Sequence, residues 1–96
     1  MSKWLVERRL SQIVSRLASL REELAQIDEQ LTVVVDEAAD HELRAMVSET
    51  PLASRDAVEA RKHADALMRH REHILSSIRE LQQRQDELLD SMSESA

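Results

Sequence analysis

The fold of this chain is decided by residues 47–52, which have the sequence VSETPL and contain its only proline. Proline inside a helix removes a backbone hydrogen bond and clashes with the preceding turn, but it fits the first position of a helix. Thr50, directly before Pro51, is a suitable N-cap because its hydroxyl can accept a hydrogen bond from a free backbone N–H. The segment therefore predicts a break between two helices.

On the N-terminal side of this break, apolar residues alternate at spacings of three and four, the heptad pattern of a coiled coil. With Leu10 at position a, the core positions a and d are Val6, Leu10, Ile13, Leu17, Leu20, Leu24, Ile27, Leu31, Val34, Ala38 and His41. A pattern this regular predicts one long amphipathic helix that packs against another helix.

The C-terminal side repeats the same alternation, with Ala57 at position a. Its core positions are Ala57, Ala60, Ala64, Leu67, Arg71, Ile74, Ile78, Leu81, Gln85, Leu88 and Met92. An antiparallel register that pairs a with d throughout matches Val6 with Met92 and His41 with Ala57, and it is centred on Glu49. The proline and the register thus place the turn independently at the same residues.

We therefore expect an all-α fold, an antiparallel helical hairpin that forms a two-helix coiled coil. The prediction is a single domain over residues 1–96, with helix 1 at about 3–47, the turn at 48–51, helix 2 at about 52–92 and a frayed tail at 93–96. The β-branched run at residues 32–35 (TVVV) leaves one alternative, because such residues are weak helix formers. Helix 1 would then bend there or break into a separate short helix.

The composition excludes several other classes of protein. The 96 residues include no glycine and no cysteine, and Trp4 is the only aromatic residue, which argues against hairpin-rich β folds and cysteine-bound zinc. The net charge of −6 argues against nucleic-acid binding. No secretory signal and no long apolar run is apparent, so we expect a cytoplasmic chain that binds no membrane.

A second apolar edge follows the heptad e positions, where a two-helix hairpin cannot bury it. This apolar ridge consists of Val14, Val35, Met68, Leu75 and Leu89. Sustained apolar e positions widen the stripe to that of a bundle helix. The ridge predicts an interface, either in a homodimer that forms a four-helix bundle or with the helix of a partner protein.

Acidic residues are concentrated near the predicted turn. The acidic tip contains Asp36, Glu37, Asp40, Glu42 and Glu49, and the stretch 36–56 accounts for four of the six net negative charges. In shape and charge the hairpin is similar to transcription factors that enter the RNA polymerase secondary channel with an acidic coiled-coil tip. This resemblance implies, as an alternative, a transcription regulator that contacts RNA polymerase.

The polar residue at a core position and the histidines can be explained without a catalytic or metal-binding role. Arg71 occupies an a position, and we expect its side chain to extend past Ile27 toward Asp28 or Glu72, although a buried polar a residue can also fix the register. The four histidines are His41, His63, His70 and His73. His63 and His70 are too far apart along a helix to share one zinc ion, and the best remaining set of ligands is His70 and His73 with Glu29 or Gln30. Exposed histidines are commoner than metal ligands, so no metal and no cofactor is predicted.

A second alternative comes from residues 20–31, LREELAQIDEQL, which resemble the first helix of the small all-helical chorismate mutases. The resemblance implies a dimeric enzyme in which Arg21 contacts a substrate carboxylate. Residues 32–51 contain no lysine and only Arg44 as a further cation, where that family needs additional cationic contacts. The main prediction is therefore non-enzymatic, a coiled-coil adaptor, scaffold or regulator that binds itself and another protein through the apolar ridge and the acidic tip.

Overall fold

The computed structural model describes residues 2–95 and contains two helices, α1 (Lys3–Ser48) and α2 (Pro51–Ser95). The helices pack against each other as an antiparallel hairpin, which confirms the predicted all-α fold. Association of two hairpins into a four-helix bundle stays a prediction.

The helix ends differ from the expected ones by a few residues. α1 extends one residue beyond 47, α2 begins one residue before 52, and α2 continues to Ser95 rather than ending near 92. Most of the expected frayed tail is therefore helical, and Ala96 lies outside the described residues.

The β-branched run at residues 32–35 does not interrupt α1, which is one helix of 46 residues. The Thr32 hydroxyl donates a hydrogen bond to the carbonyl oxygen of Asp28, one turn earlier, at 3.1 Å. This bond satisfies the hydroxyl within the helix. The alternative of a broken first helix is therefore wrong, and a bend at this run stays a prediction.

Two residues, Glu49 and Thr50, make the turn. Glu49 has a φ of 53°, and its N–H donates to the carbonyl oxygen of Ala45 at 3.1 Å, which is the left-handed C-cap that glycine usually provides. Thr50 caps α2, because its Oγ1 accepts a hydrogen bond from the N–H of Ala53 at 3.2 Å. Ser2 caps α1 in the same way, with its Oγ accepting from the N–H of Leu5 at 3.3 Å.

The hairpin divides into two compact units, each containing part of both helices. The terminal unit comprises Met1–Leu24 and His73–Ala96, and the turn unit comprises Ala25–Glu72.

In both units, every fully buried side chain among the described residues occupies a predicted a or d position. The terminal unit buries Val6, Ile13, Leu17, Leu20, Ile74, Ile78 and Leu88, whereas the turn unit buries Ile27, Ala38, Ala57 and Ala64. All other a and d positions are half-buried. Because alanine removes less apolar area from water than leucine or isoleucine, the core of the turn unit contributes less stabilisation.

Candidate functional site

The predicted apolar ridge is only partly open to solvent. Val14, Met68 and Leu89 are exposed at 38–55% of their surface, while Val35 and Leu75 are half-buried. The three exposed residues leave apolar area uncovered in each unit, since Met68 lies in the turn unit and the other two in the terminal unit. Coverage of this ridge by a second hairpin or by a partner protein stays a prediction.

The predicted acidic tip also separates into two kinds of residue. Four of its members are exposed, namely Asp36, Glu37, Asp40 and Glu49. Glu42 is half-buried, and its Oε1 accepts a hydrogen bond from Nε of Arg61 on α2 at 2.7 Å. Glu42 therefore joins the two helices of the turn unit, and the four exposed carboxylates are accessible to a ligand.

The Glu42–Arg61 pair affects the protonation of both groups. The hydrogen bond from Arg61 holds the pKa of the Glu42 carboxyl below its ordinary value, partial desolvation acts against this, and the charge of Arg61 reinforces it. The same bond raises the pKa of Arg61. The carboxylate of Glu42 is therefore ionised at neutral pH.

An apolar surface that the sequence analysis missed surrounds the turn. We call it the turn patch, and it consists of Leu43, Met46, Val47 and Leu52, whose side chains are 60–78% exposed. These residues occupy b, c and f positions, which a heptad analysis assigns to solvent. The signal that could have revealed them is large apolar residues at outward positions, three and four residues apart on α1.

Arg71 makes the contact that the sequence favoured. Its Nε donates to Oδ1 of Asp28 at 2.6 Å, so the guanidinium extends out of the core to a carboxylate on α1. Both side chains remain more than one-third exposed, and exposed ion pairs contribute little to stability. The pair thus explains how an arginine is accommodated at a core position and assigns no chemistry to it.

The terminal unit contains an open groove of about 680 Å³ along its g edge. Its charged lining residues are Arg9, Arg16, Arg84 and Glu87, and its apolar lining residues are Ile13, Leu81 and Leu88. We call it the arginine groove. Sequence reasoning missed it, because Arg84 of α2 is distant along the chain from Arg9 and Arg16 of α1 and joins them only when the two helices pair. Arg21, the residue singled out by the chorismate mutase resemblance, does not line it.

The terminal unit also exposes the single tryptophan. Trp4 is 62% exposed, and the guanidinium carbon of Arg8 lies 5.5 Å from the centroid of its ring, within the range of a cation–π contact. Trp4 therefore presents an apolar face beside a positive charge.

Among residues 2–95, no group of three or more His, Asp or Glu side chains is arranged to hold a metal ion. In the same part of the chain, neither helix has a stretch that is long and apolar enough to cross a membrane.

Comparison with protein-family models, with curated proteins and with solved structures gave no match for this chain.

Proposed function

We propose that this chain is a non-enzymatic protein-binding module, an adaptor, scaffold or regulator, whose hairpin turn docks on another protein. The observation that carries this proposal is the turn patch. Four large apolar side chains lie exposed within ten residues of one another along the chain, and apolar surface gathered in this way is typical of protein–protein contact.

The charges next to the turn patch restrict the kind of partner. Asp36, Asp40 and Glu49 are exposed near it, and the turn unit as a whole contains eleven acidic and six basic residues. Complementary charge accelerates association and rejects partners of like charge. We therefore expect a partner surface that combines apolar and basic side chains.

The apolar ridge supports self-association as the second part of the proposal. Val14 and Leu89, one on each helix of the terminal unit, leave apolar surface that a second hairpin would cover in a four-helix bundle. A two-helix chain of 96 residues buries little core, and small folds commonly gain stability through oligomerisation.

Site-specific photo-crosslinking in cells of the source organism tests the binding role of the turn. A photo-crosslinking amino acid replaces Val47 in the turn patch, and the matched control carries it at Glu22, an exposed polar position in the terminal unit that does not line the arginine groove. We expect a discrete crosslinked species from position 47 that is absent from position 22. The adduct should disappear when Leu43→Glu and Met46→Glu are added, while the helical circular dichroism signal is unchanged.

The proposal is overturned if position 47 yields no adduct, or if its adducts are the same as those of position 22. It is also overturned if the adduct survives both glutamate substitutions. Those substitutions change exposed side chains, so loss of the adduct without loss of helix isolates binding from folding.

Molar mass by light scattering tests the ridge. We expect Val14→Glu combined with Leu89→Glu to lower the mass toward the 11.0 kDa monomer, because both side chains are exposed and their substitution leaves the hairpin core intact. Leu75 is less suitable, since it is half-buried. The control is Val58→Glu, an exposed valine outside the ridge and the turn patch, and an unchanged mass in the double variant would refute the ridge interface.

A further inference from the structure

The arginine groove combines positive charge with apolar surface in a chain that is acidic as a whole. Arg9 and Arg16 contribute from α1 and Arg84 from α2, against the single carboxylate of Glu87. Ile13, Leu81 and Leu88 supply the apolar part. A groove between two paired helices suits a third helix, and the charges here select one that presents carboxylates between apolar side chains.

A stripe with that composition lies on the outer face of α1 in the turn unit. The acidic stripe consists of Val33, Asp36, Asp40, Leu43 and Val47, which follow one another at spacings of three, four, three and four. This is the repeat of a helix–helix contact, yet all five residues are exposed. Its two carboxylates lie between apolar residues on either side along the helix, as an occupant of the arginine groove requires.

We propose that the arginine groove of one copy of this chain binds the acidic stripe of a second copy. The aspartates would face the arginines, and Val33, Leu43 and Val47 would cover the apolar part of the groove. Charge is distributed accordingly, because the turn unit carries five of the six net negative charges, whereas the terminal unit has eight acidic and seven basic residues.

This inference rests on the proposed function in one respect, since Leu43 and Val47 belong to both the turn patch and the stripe. It deepens that proposal by naming the partner as a second copy. The contact joins two different surfaces, the groove of one copy and the stripe of the other. If two copies exchange both contacts, they form a closed dimer, and if each pair of copies makes only one contact, further copies can add to form longer assemblies.

Charge reversal followed by mixing is the decisive experiment. The groove variant carries Arg16→Glu and Arg84→Glu, and the stripe variant carries Asp36→Arg and Asp40→Arg. In sedimentation velocity we expect each variant alone to associate at least about tenfold more weakly than the wild type, because like charges then face each other. An equimolar mixture should associate again, since each groove meets a stripe of opposite charge.

A matched control separates the groove from net charge. Arg21→Glu with Arg79→Glu reverses two exposed arginines of the terminal unit that do not line the groove, and gives the same net charge as the groove variant. We expect this control to associate like the wild type. A photo-crosslinking amino acid in place of Leu43 in the purified chain should form an adduct with residues lining the groove, identified by mass spectrometry.

The proposal is overturned if the wild type sediments as a monomer throughout the accessible concentration range, or if the mixture fails to associate. It is equally overturned if the control weakens association as much as the groove variant, or if the Leu43 adduct maps outside the groove. Any of these results, combined with an adduct between Val47 and a different protein in cells, leaves the proposed docking of the turn standing. A monomeric wild type would also refute self-association through the ridge. The absence of any adduct at Val47 removes both the docking proposal and this inference.

Discussion

Glycine at position 49 should give a more stable hairpin than alanine at the same position. Glu49 has a φ of 53°, and the left-handed conformation costs an L-amino acid with a Cβ about 1–2 kcal/mol. Glycine adopts it freely but loses about 0.5–1 kcal/mol more in conformational entropy on folding. Subtracting the entropy cost from the relief of the left-handed strain leaves the Glu49→Gly chain more stable than Glu49→Ala by about 0.5–1 kcal/mol. Alanine is the reference because both substitutions remove the carboxylate.

Urea denaturation followed by the helical circular dichroism signal measures this difference. All variants are compared at one protein concentration, because association would add to the apparent stability. The matched control is Glu22, which is exposed within α1, where glycine should be less stable than alanine by about 1 kcal/mol. The expected result is therefore an opposite sign at the two positions.

A Glu49→Gly chain that is no more stable than Glu49→Ala would refute this reasoning. It would mean that the residue after α1 does not hold a left-handed conformation in solution, and that the helices are joined by a different turn. The same conclusion would follow if glycine were less stable than alanine by the same amount at positions 49 and 22.

Three further predictions concern the core, the cap and the ion pair. Ile74→Ala should lower the free energy of unfolding by about 2–5 kcal/mol because Ile74 is buried. Val14→Ala, at an exposed position, should change it by less than about 0.5 kcal/mol. If urea denaturation shows a similar loss of stability for both variants, Ile74 is not packed in the core. Thr50→Ala should cost about 1 kcal/mol in the same assay and Thr50→Ser far less, because serine keeps the capping hydroxyl. Since the folded pKa of Glu42 lies below its unfolded value, its contribution to stability is present above the unfolded pKa and is lost as pH falls through the folded one. NMR titration should show this lowered pKa returning to its ordinary value in Arg61→Gln, and an unchanged pKa would argue against the ion pair.

The core positions could be predicted from the sequence because each depends on a local pattern. The heptad alternation identified every side chain that is fully buried among the described residues, since a helix of constant period places residues three and four apart on one face. Pro51 and Thr50 located the turn, because their preferences at a helix start are properties of single residues.

The candidate site was predicted less completely, because exposure depends on what packs nearby. The ridge residues are apolar e positions in the sequence, yet only the paired helices distinguish exposed Val14 from half-buried Val35. Likewise, Glu42 was grouped with the exposed acids, but Arg61 of α2 binds it at 2.7 Å. Residues distant in sequence supply these neighbours, so no single segment reveals them.

The sequence by itself determined that this chain forms two helices, which faces they bury, and where the chain reverses, since periodicity and proline act within a few residues. The tertiary structure decided three further matters. It kept α1 continuous through residues 32–35, where the cost of the β-branched residues is a few tenths of a kcal/mol each, less than the gain from packing the helix on α2. It also placed Glu49 in a conformation usually taken by glycine, because the pairing of α1 with α2 fixes the turn geometry. The same pairing assembled the arginine groove, since it brings Arg84 of α2 to the arginines of α1.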